Sequence, residues 1–346
     1  MKVIQAAILS QTNKPLEVSN IQAMPLLKGQ VYVKILYSGI CGSQLMEISG
    51  DRGQDPWLPH LLGHEGSGIV VAIGEGVSKV KPGDEVILSW IKGDGLDAPG
   101  AQYMRGNQVI NSGRVTTLSN YSIVSESRVV KKPADLSFDE SILFGCAIPT
   151  GAGIVLNQVK PKPSNTLLII GLGGIGLSAL IMSVALKVKK IVVIDTHDSK
   201  LEHAKNLGAH FAYNAKNINL VKEVLTDTEK GFDYCIESAG LTKTIELGFD
   251  LLNKDYGQLF FASHPPHNEK ISILPHELIS GKKIFGSWGG DVKPNIDLPK
   301  IWNILKKTDI NLKDFMPIEY SLDDINLAID DLKKGKVFRP LVKMKH

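Results

Sequence analysis

Cysteine is scarce in this 346-residue chain: there are three, an odd number, and they stand far apart. That excludes a disulfide framework and fits the reducing cytoplasm. Aromatic residues make up only 6%, and the net charge of +3 is spread over mixed Lys and Asp/Glu with no basic run and no aromatic ladder. Nucleic acid is therefore not an expected partner. Long apolar runs are almost missing. Met1 to Ala7 has a polar residue inside its apolar run and no extended apolar core, so it reads as a first strand and not as a signal peptide. The one stretch of membrane-spanning length, Leu167 to Leu186, gathers its four glycines in one motif and divides into a short strand and a helix. No membrane partner is expected from it. There is no internal repeat and no low-complexity segment. What remains, 43% apolar and 22% charged residues, is the composition of an ordinary globular protein long enough for two domains.

The motif holding those glycines is Gly171-Leu172-Gly173-Gly174-Ile175-Gly176, placed between the apolar run Thr166 to Ile170 and a helical stretch. Gly171 permits a tight strand-to-helix turn, Gly173 lets the backbone approach a pyrophosphate, and Gly176 lets the helix pack closely on the sheet. Such a motif alone is weak, because glycines also serve ordinary turns. Here a second apolar strand, Ile191 to Ile194, ends in Asp195, close to the roughly 20-residue offset expected of an acid that binds ribose hydroxyls. Strand, glycine turn, helix, strand and acid in register point to a dinucleotide.

From about Leu156 to Phe285 strand and helix patterns alternate: a helix over Ser199 to Leu207 stopped by Gly208, strands at Phe211 to Tyr213, Phe232 to Glu237 and Leu259 to Ala262, and a helix over Thr242 to Leu252. Units of this size imply an α/β, doubly wound parallel sheet covered on both faces. The first 150 residues are different. Short β-rich runs, such as Val31 to Leu36, Gly68 to Val71 and Glu85 to Leu88, are broken by turns such as Lys81-Pro82-Gly83-Asp84, giving an irregular β domain. Pro161 and Pro163 mark the join, and the tail from about Ser287 is expected to return to the first domain. The expected division is 1–155 with 288–346, and 156–287.

Cys41 in Gly39-Ile40-Cys41-Gly42-Ser43, His64 in Gly63-His64-Glu65-Gly66 and Cys146 in Phe144-Gly145-Cys146-Ala147 all lie in glycine-containing turns, where a backbone can present a side chain outward. Each alone has an ordinary explanation as a small buried residue or a loop cap. Together, ahead of a dinucleotide motif, two thiolates and an imidazole suit zinc, with a fourth tetrahedral position left for water or substrate.

With these landmarks, and with Lys81-Pro82-Gly83-Asp84 and the C-terminal Phe338-Arg339, the chain resembles, nearly end to end, the zinc-dependent alcohol dehydrogenases of the medium-chain dehydrogenase/reductase superfamily. The resemblance implies a GroES-like catalytic domain, a Rossmann domain and an active site in the cleft between them. It also implies a small alcohol or carbonyl substrate, NAD, and a homodimer or homotetramer built through the edge of the nucleotide-domain sheet, for which Ile284 to Gly286 is the candidate. Carried over by residue, Cys41, His64 and Cys146 hold the catalytic zinc, and Glu65 is a carboxylate close to it. Ser43 bonds the substrate oxygen and relays its proton. Asp195 and Lys200 bind the adenosine ribose, and Arg339 reaches the pyrophosphate.

Three departures from the family pattern matter. Leu88 to Thr117 contains no cysteine, so the structural zinc many members carry is not expected and one catalytic zinc remains. Gln44 stands where many relatives have an aspartate that orients the zinc-binding histidine; an amide can bond His64 but cannot make it more basic. Met46 replaces an outer relay histidine. Trp90 falls where the family places an aromatic of the substrate pocket, with core burial as the competing reading. His60, His264, His267 and His276 are expected in loops or at the surface, and Cys235 as a small buried residue of a strand. Two rivals, a non-catalytic member of the fold and a zinc-free quinone or enone reductase, fit the full ligand set and Ser43 less well.

Overall fold

The computed structural model describes residues 3–228, 230–266 and 268–346, leaving Met1 and Lys2 of the expected first strand and the expected loop residue His267 outside the described residues. The chain forms two compact units. One runs to Cys146 and takes in Lys293–Pro299 and Asn311–His346; the other is Ala147–Val292 with Lys300–Ile310.

In the first unit, the strands Val3–Leu9, Glu17–Ala23, Gln102–Arg105, Gln108–Asn111 and His60–Leu61 close into a small barrel. Beside them lies a seven-stranded sheet in the order Val129–Lys131, Glu85–Ser89, Glu65–Ile73, Gln30–Gly39, Leu341–Lys343 and Glu319–Ser321, with Tyr121–Ser125 also paired to Gln30–Gly39. Alternation explains the sheet. Val31, Val33 and Ile35 turn to one side and are fully buried against Val86, Leu88, Val124 and Val129. The C-terminal strand pairs Leu341 with Gly39. The tail therefore runs past the segment that carries Cys41.

The second unit holds a six-stranded, all-parallel sheet in the order Phe211–Asn214, Lys190–Asp195, Thr166–Ile170, Tyr234–Glu237, Gln258–Phe261, Lys283–Gly286. In chain order this is 3-2-1-4-5-6, the doubly wound arrangement whose crevice opens between the first and fourth strands. Leu167 to Ile170 and Ile191 to Ile194 are buried along their whole length, as strands covered by helices on both faces must be. The crossover helices include Gly174–Ala185, Asp198–Asn206 and Thr242–Asp250, the last two within a residue or two of the expected ranges.

The units divide at 146/147 and not at the expected 155/156. Ala147–Gly153 is a helix, continued by a π-helical turn over Ile154–Val159, and it belongs with the second unit. Every residue of Ala147–Gly153 is buried, so it has no polar face and shows no helical periodicity in the sequence. The prolines at 161 and 163 mark the end of this run, not its beginning. Among the described residues no single helix is long and apolar enough to cross a membrane.

Candidate metal centre and nucleotide turn

Cys41 is the N-cap of the helix Gly42–Ser49, held in an extended conformation (φ −91°, ψ 152°). Gln44 fixes that turn: its buried side-chain oxygen accepts the Cys41 N–H at 2.9 Å. The amide thus bonds Cys41 and not His64, and its nitrogen is buried without a partner. His64 directly precedes the strand Glu65–Ile73, and Cys146 follows the tight turn Ile142–Gly145. These three distant points in the sequence converge. The ligand atoms of Cys41, His64 and Cys146 lie within 4.8 Å of one another, and they form the one such group among the described residues. The two sulfurs are 3.9 Å apart. The hydrogen bond from Cys146 holds the Cys41 thiol well below its usual range, while the same bond and burial push Cys146 up. Burial works against a charged His64, but its bond to Cys41 and the charge there win and raise its pKa. Two soft sulfurs and an imidazole at this spacing are a donor set that fits zinc, and three protein ligands are the pattern of a catalytic site.

Glu65 is fully buried and its carboxyl is not among the ligand atoms. One oxygen lies 3.0 Å from Nη1 of Arg339, which also donates to the Ile40 carbonyl at 3.3 Å. Burial pushes the Glu65 pKa up to about 7 against the pull of Arg339. Arg339 itself is only 4% exposed. Ser43 is half-buried in the first turn of Gly42–Ser49, two residues from Cys41, and Met46 is half-buried in the same helix. Trp90 is half-buried, and its backbone N–H donates to the Gly145 carbonyl at 3.4 Å, one residue before Cys146.

In the second unit the glycine turn is built as its spacing suggests. Gly171 has φ +88°, and a side chain there would meet the Ala239 backbone nitrogen at 2.7 Å. A Cβ on Gly176 would stand 1.9 Å from the Gly171 carbonyl, so only glycine lets helix Gly174–Ala185 pack this close. Gly173 is the N-cap, with Gly174 and Ile175 opening the helix. Asp195 ends its strand against the turn, with one oxygen accepting the Leu172 N–H at 2.7 Å and the other accepting the His197 N–H at 3.0 Å. Lys200 is half-buried in the first turn of Asp198–Asn206.

Sequence reading missed Glu237. Buried at the end of its strand, it accepts from the N–H groups of Ala239 (2.8 Å) and Gly240 (2.9 Å) and from Thr244 Oγ1 (2.7 Å), shaping the turn that faces Gly171. The signal available was an acid closing an otherwise apolar strand. His60 is a correction. It is buried in the strand His60–Leu61, with Nε2 2.8 Å from Asp55 and Nδ1 2.9 Å from the Leu61 carbonyl, so both ring nitrogens are satisfied away from water. His276 lies in the short helix Pro275–Ser280 and not in a loop, while Cys235 is buried in a strand.

Residues 27–134 match the family model described as alcohol dehydrogenase GroES-like domain, and residues 174–307 the one described as zinc-binding dehydrogenase. An S-(hydroxymethyl)glutathione dehydrogenase of Escherichia coli O1:K1 is 31% identical over 366 aligned positions, covering 98% of this chain and 99% of its own. Among solved structures, benzyl alcohol dehydrogenase from Acinetobacter calcoaceticus superposes with a TM-score of 0.90 at 26% identity, covering both chains fully. An alcohol dehydrogenase zinc-binding domain protein from Burkholderia ambifaria shares the fold with a TM-score of 0.92 at 24% identity, again over both full chains.

Proposed function

The chain belongs to the zinc-binding alcohol dehydrogenases of the medium-chain dehydrogenase/reductase superfamily, and from that premise we propose that it oxidises a polar alcohol (a polyol, sugar derivative or amino alcohol) with NAD. The enzyme class itself is zinc-dependent alcohol dehydrogenase. The observation that carries the reading is the convergence of Cys41, His64 and Cys146, which would hold one zinc. With no cysteine between Leu88 and Thr117, a second zinc has no thiolate cluster there. When bound, zinc supplies Lewis acidity that favours loss of a proton from an alcohol, and NAD supplies the hydride acceptor. The chain's own groups do the rest. Ser43, two residues from Cys41, accepts the hydrogen bond of the alcohol O–H and relays the proton, releasing its own hydroxyl proton to water as it receives the substrate's, and the buried Glu65–Arg339 pair holds the backbone that carries Cys41. The first turn at Gly173 to Gly176 presents amides to the pyrophosphate, to which Arg339 is also assigned. Asp195 and Lys200 bind the adenosine ribose.

Polarity of the substrate is inferred from the triplet Cys41-Gly42-Ser43, which resembles the sorbitol- and threonine-dehydrogenase branches more than the classical ethanol enzymes, and from the polar segment Ile91 to Asp97 after Trp90. Lys92 and Arg114 both pair with Asp97, at 3.1 and 3.2 Å. An apolar substrate set against such groups would take water from them without replacing its hydrogen bonds. The test is a screen of the zinc-loaded enzyme on polyols, amino alcohols, sugar phosphates, hexanol and benzyl alcohol with NAD and NADP. A polar alcohol should give the highest kcat/KM. A clear win for benzyl alcohol would replace this reading with an aromatic alcohol dehydrogenase, which the likeness to the Acinetobacter enzyme favours.

NAD preference is assigned to Asp195, whose carboxylate would accept from both ribose hydroxyls and repel a 2′-phosphate. Asp195→Ser should lower kcat/KM with NAD and raise it with NADP, moving the ratio by about 100-fold, the size of two lost charge-assisted hydrogen bonds. Equal efficiency with both cofactors in the unaltered enzyme would remove the assignment.

Self-association is assigned to the free edge of the parallel sheet. Lys283–Gly286 is its last strand, and Phe285, Ile279 and Leu274 are exposed on or beside it. Light scattering should give at least twice the 37.7 kDa chain mass, and Phe285→Lys should shift it toward the monomer by placing a charge on the pairing edge. A monomeric parent protein would contradict this.

A further inference from the structure

We infer that the alcohol substrate carries an oxyanion, a carboxylate or phosphate, and that Arg128 binds it; this rests on reading the metal centre as an alcohol dehydrogenase site. Arg128 ends the turn Glu126–Arg128 and stands one step along the ladder from the Val129–Leu88 pair. Ser89, which follows Leu88 on the partner strand, is fully buried. Its Oγ donates to the Gly145 carbonyl at 2.9 Å, immediately before Cys146. Arg128 Nη1 donates to the Trp90 carbonyl, and the Trp90 backbone N–H in turn donates to Gly145. Two hydrogen bonds therefore link the guanidinium to the residue that precedes a metal ligand.

The guanidinium is in an unusual electrostatic position for a purely structural arginine. Its one hydrogen bond among the described residues goes to a neutral carbonyl, and its Nε is buried with no partner. Burial lowers its pKa, and among the described residues the carboxylate that opposes this is Asp97. That acid is already taken: Lys92 at 3.1 Å, Arg114 at 3.2 Å and Ser127 Oγ at 3.0 Å all engage it. Around this segment Lys79, Lys92, Arg114 and Arg128 outnumber Asp94, Asp97 and Glu126 by one, and Glu126 already accepts from the backbone N–H groups of Ser78, Lys79 and Leu96. A half-buried cation whose nearby carboxylate is shared with two other cations is costly, and a guanidinium with donors to spare matches the two oxygens of a carboxylate or phosphate. Arg128 is thus a specificity-determining residue, and the adjoining Lys92 and Arg114 draw the same charge toward it.

The experiment compares matched alcohols on the zinc-loaded enzyme: 4-(hydroxymethyl)benzoate against benzyl alcohol, and 3-hydroxypropyl phosphate against 1-propanol. The charged member of at least one pair should have the higher kcat/KM by tenfold or more, chiefly through KM, and which pair shows it tells carboxylate from phosphate. In Arg128→Gln that ratio should collapse toward one. The ratio is the readout because any shift of Trp90 affects both members alike. Arg128→Lys, which keeps charge and loses the fork, should give an intermediate ratio. Independently of turnover, calorimetry should show benzoate or inorganic phosphate binding the zinc-loaded enzyme, with Kd raised about 10-fold or more in Arg128→Gln. Neutral alcohols oxidised as well as charged ones, with no anion binding, would overturn the Arg128 inference and leave the dehydrogenase intact. A ratio unchanged in Arg128→Gln would overturn it equally. Failure of the zinc-loaded enzyme to oxidise any alcohol, by contrast, would refute the function on which the inference rests.

Discussion

Cys146→Ser should emerge from purification with almost no zinc and with turnover reduced by at least about 1,000-fold, while NADH still binds. Among the described residues three ligating side chains converge on the centre, and the two sulfurs stand 3.9 Å apart. A serine hydroxyl is a far poorer zinc ligand than a thiolate, so the site keeps one sulfur and one imidazole. The Lewis acidity lost with the metal is worth several kcal/mol of charge stabilisation, and each 1.4 kcal/mol is about a factor of ten in rate. Nucleotide binding should survive because the glycine turn and Asp195 lie in a unit with its own buried core around Leu168, Ile170, Val192 and Ile194. Elemental analysis and NADH fluorescence titration check both halves. The parent protein should hold one zinc per chain. A variant that keeps full zinc and turnover would remove Cys146 from the ligand set.

The features readable in the sequence were those whose chemistry is local. The glycine turn needs its residues at fixed offsets, and Asp195 follows an unbroken apolar strand, so both announce themselves. The metal ligands were readable for a related reason, since each sits in a short turn of limited composition. Their meeting is written in no local spacing, since the intervening barrel and sheet bring Cys41 and Cys146 together; the donor set and the family resemblance were what pointed to it, and the three ligand atoms do converge. Other features were hidden by burial. Ala147–Gly153 is surrounded by protein on every side and offers no periodicity. His60 looks like a loop residue until Asp55 and the Leu61 carbonyl are seen to satisfy its ring. Gln44 looked suited to bond His64, but its side-chain oxygen instead closes the N-terminal turn of Gly42–Ser49 on Cys41. Arg128 carried no motif. It stands out only because its surroundings leave it to share one carboxylate with Lys92 and Arg114.

Arg339→Gln should destabilise the protein by about 3–5 kcal/mol, the usual cost of removing one partner of a buried ion pair. Glu65 is fully buried, its second oxygen has no partner, and the Arg339 guanidinium is what offsets its charge. Without that cation the carboxyl must either take up a proton or remain as an uncompensated buried charge. On the scale of a few degrees per kcal/mol, the apparent Tm should fall by roughly 10 °C. Glu65→Gln should be damaging too, since it strands the guanidinium. The double variant should be milder than the sum of the two, because it removes both buried charges together. This coupling separates an ion pair from two independent packing defects; strict additivity would contradict it. The damage should also reach the metal centre. Arg339 donates to the Ile40 carbonyl, and the strand that follows it pairs with Gly39, so the pair ties the C-terminal segment to the backbone carrying Cys41. Zinc should therefore leave Arg339→Gln faster than the parent when both are challenged with a chelator below their unfolding temperatures. The expected order is parent slowest, the double variant between, and Arg339→Gln fastest, because the charge left behind on Glu65 acts directly beside His64.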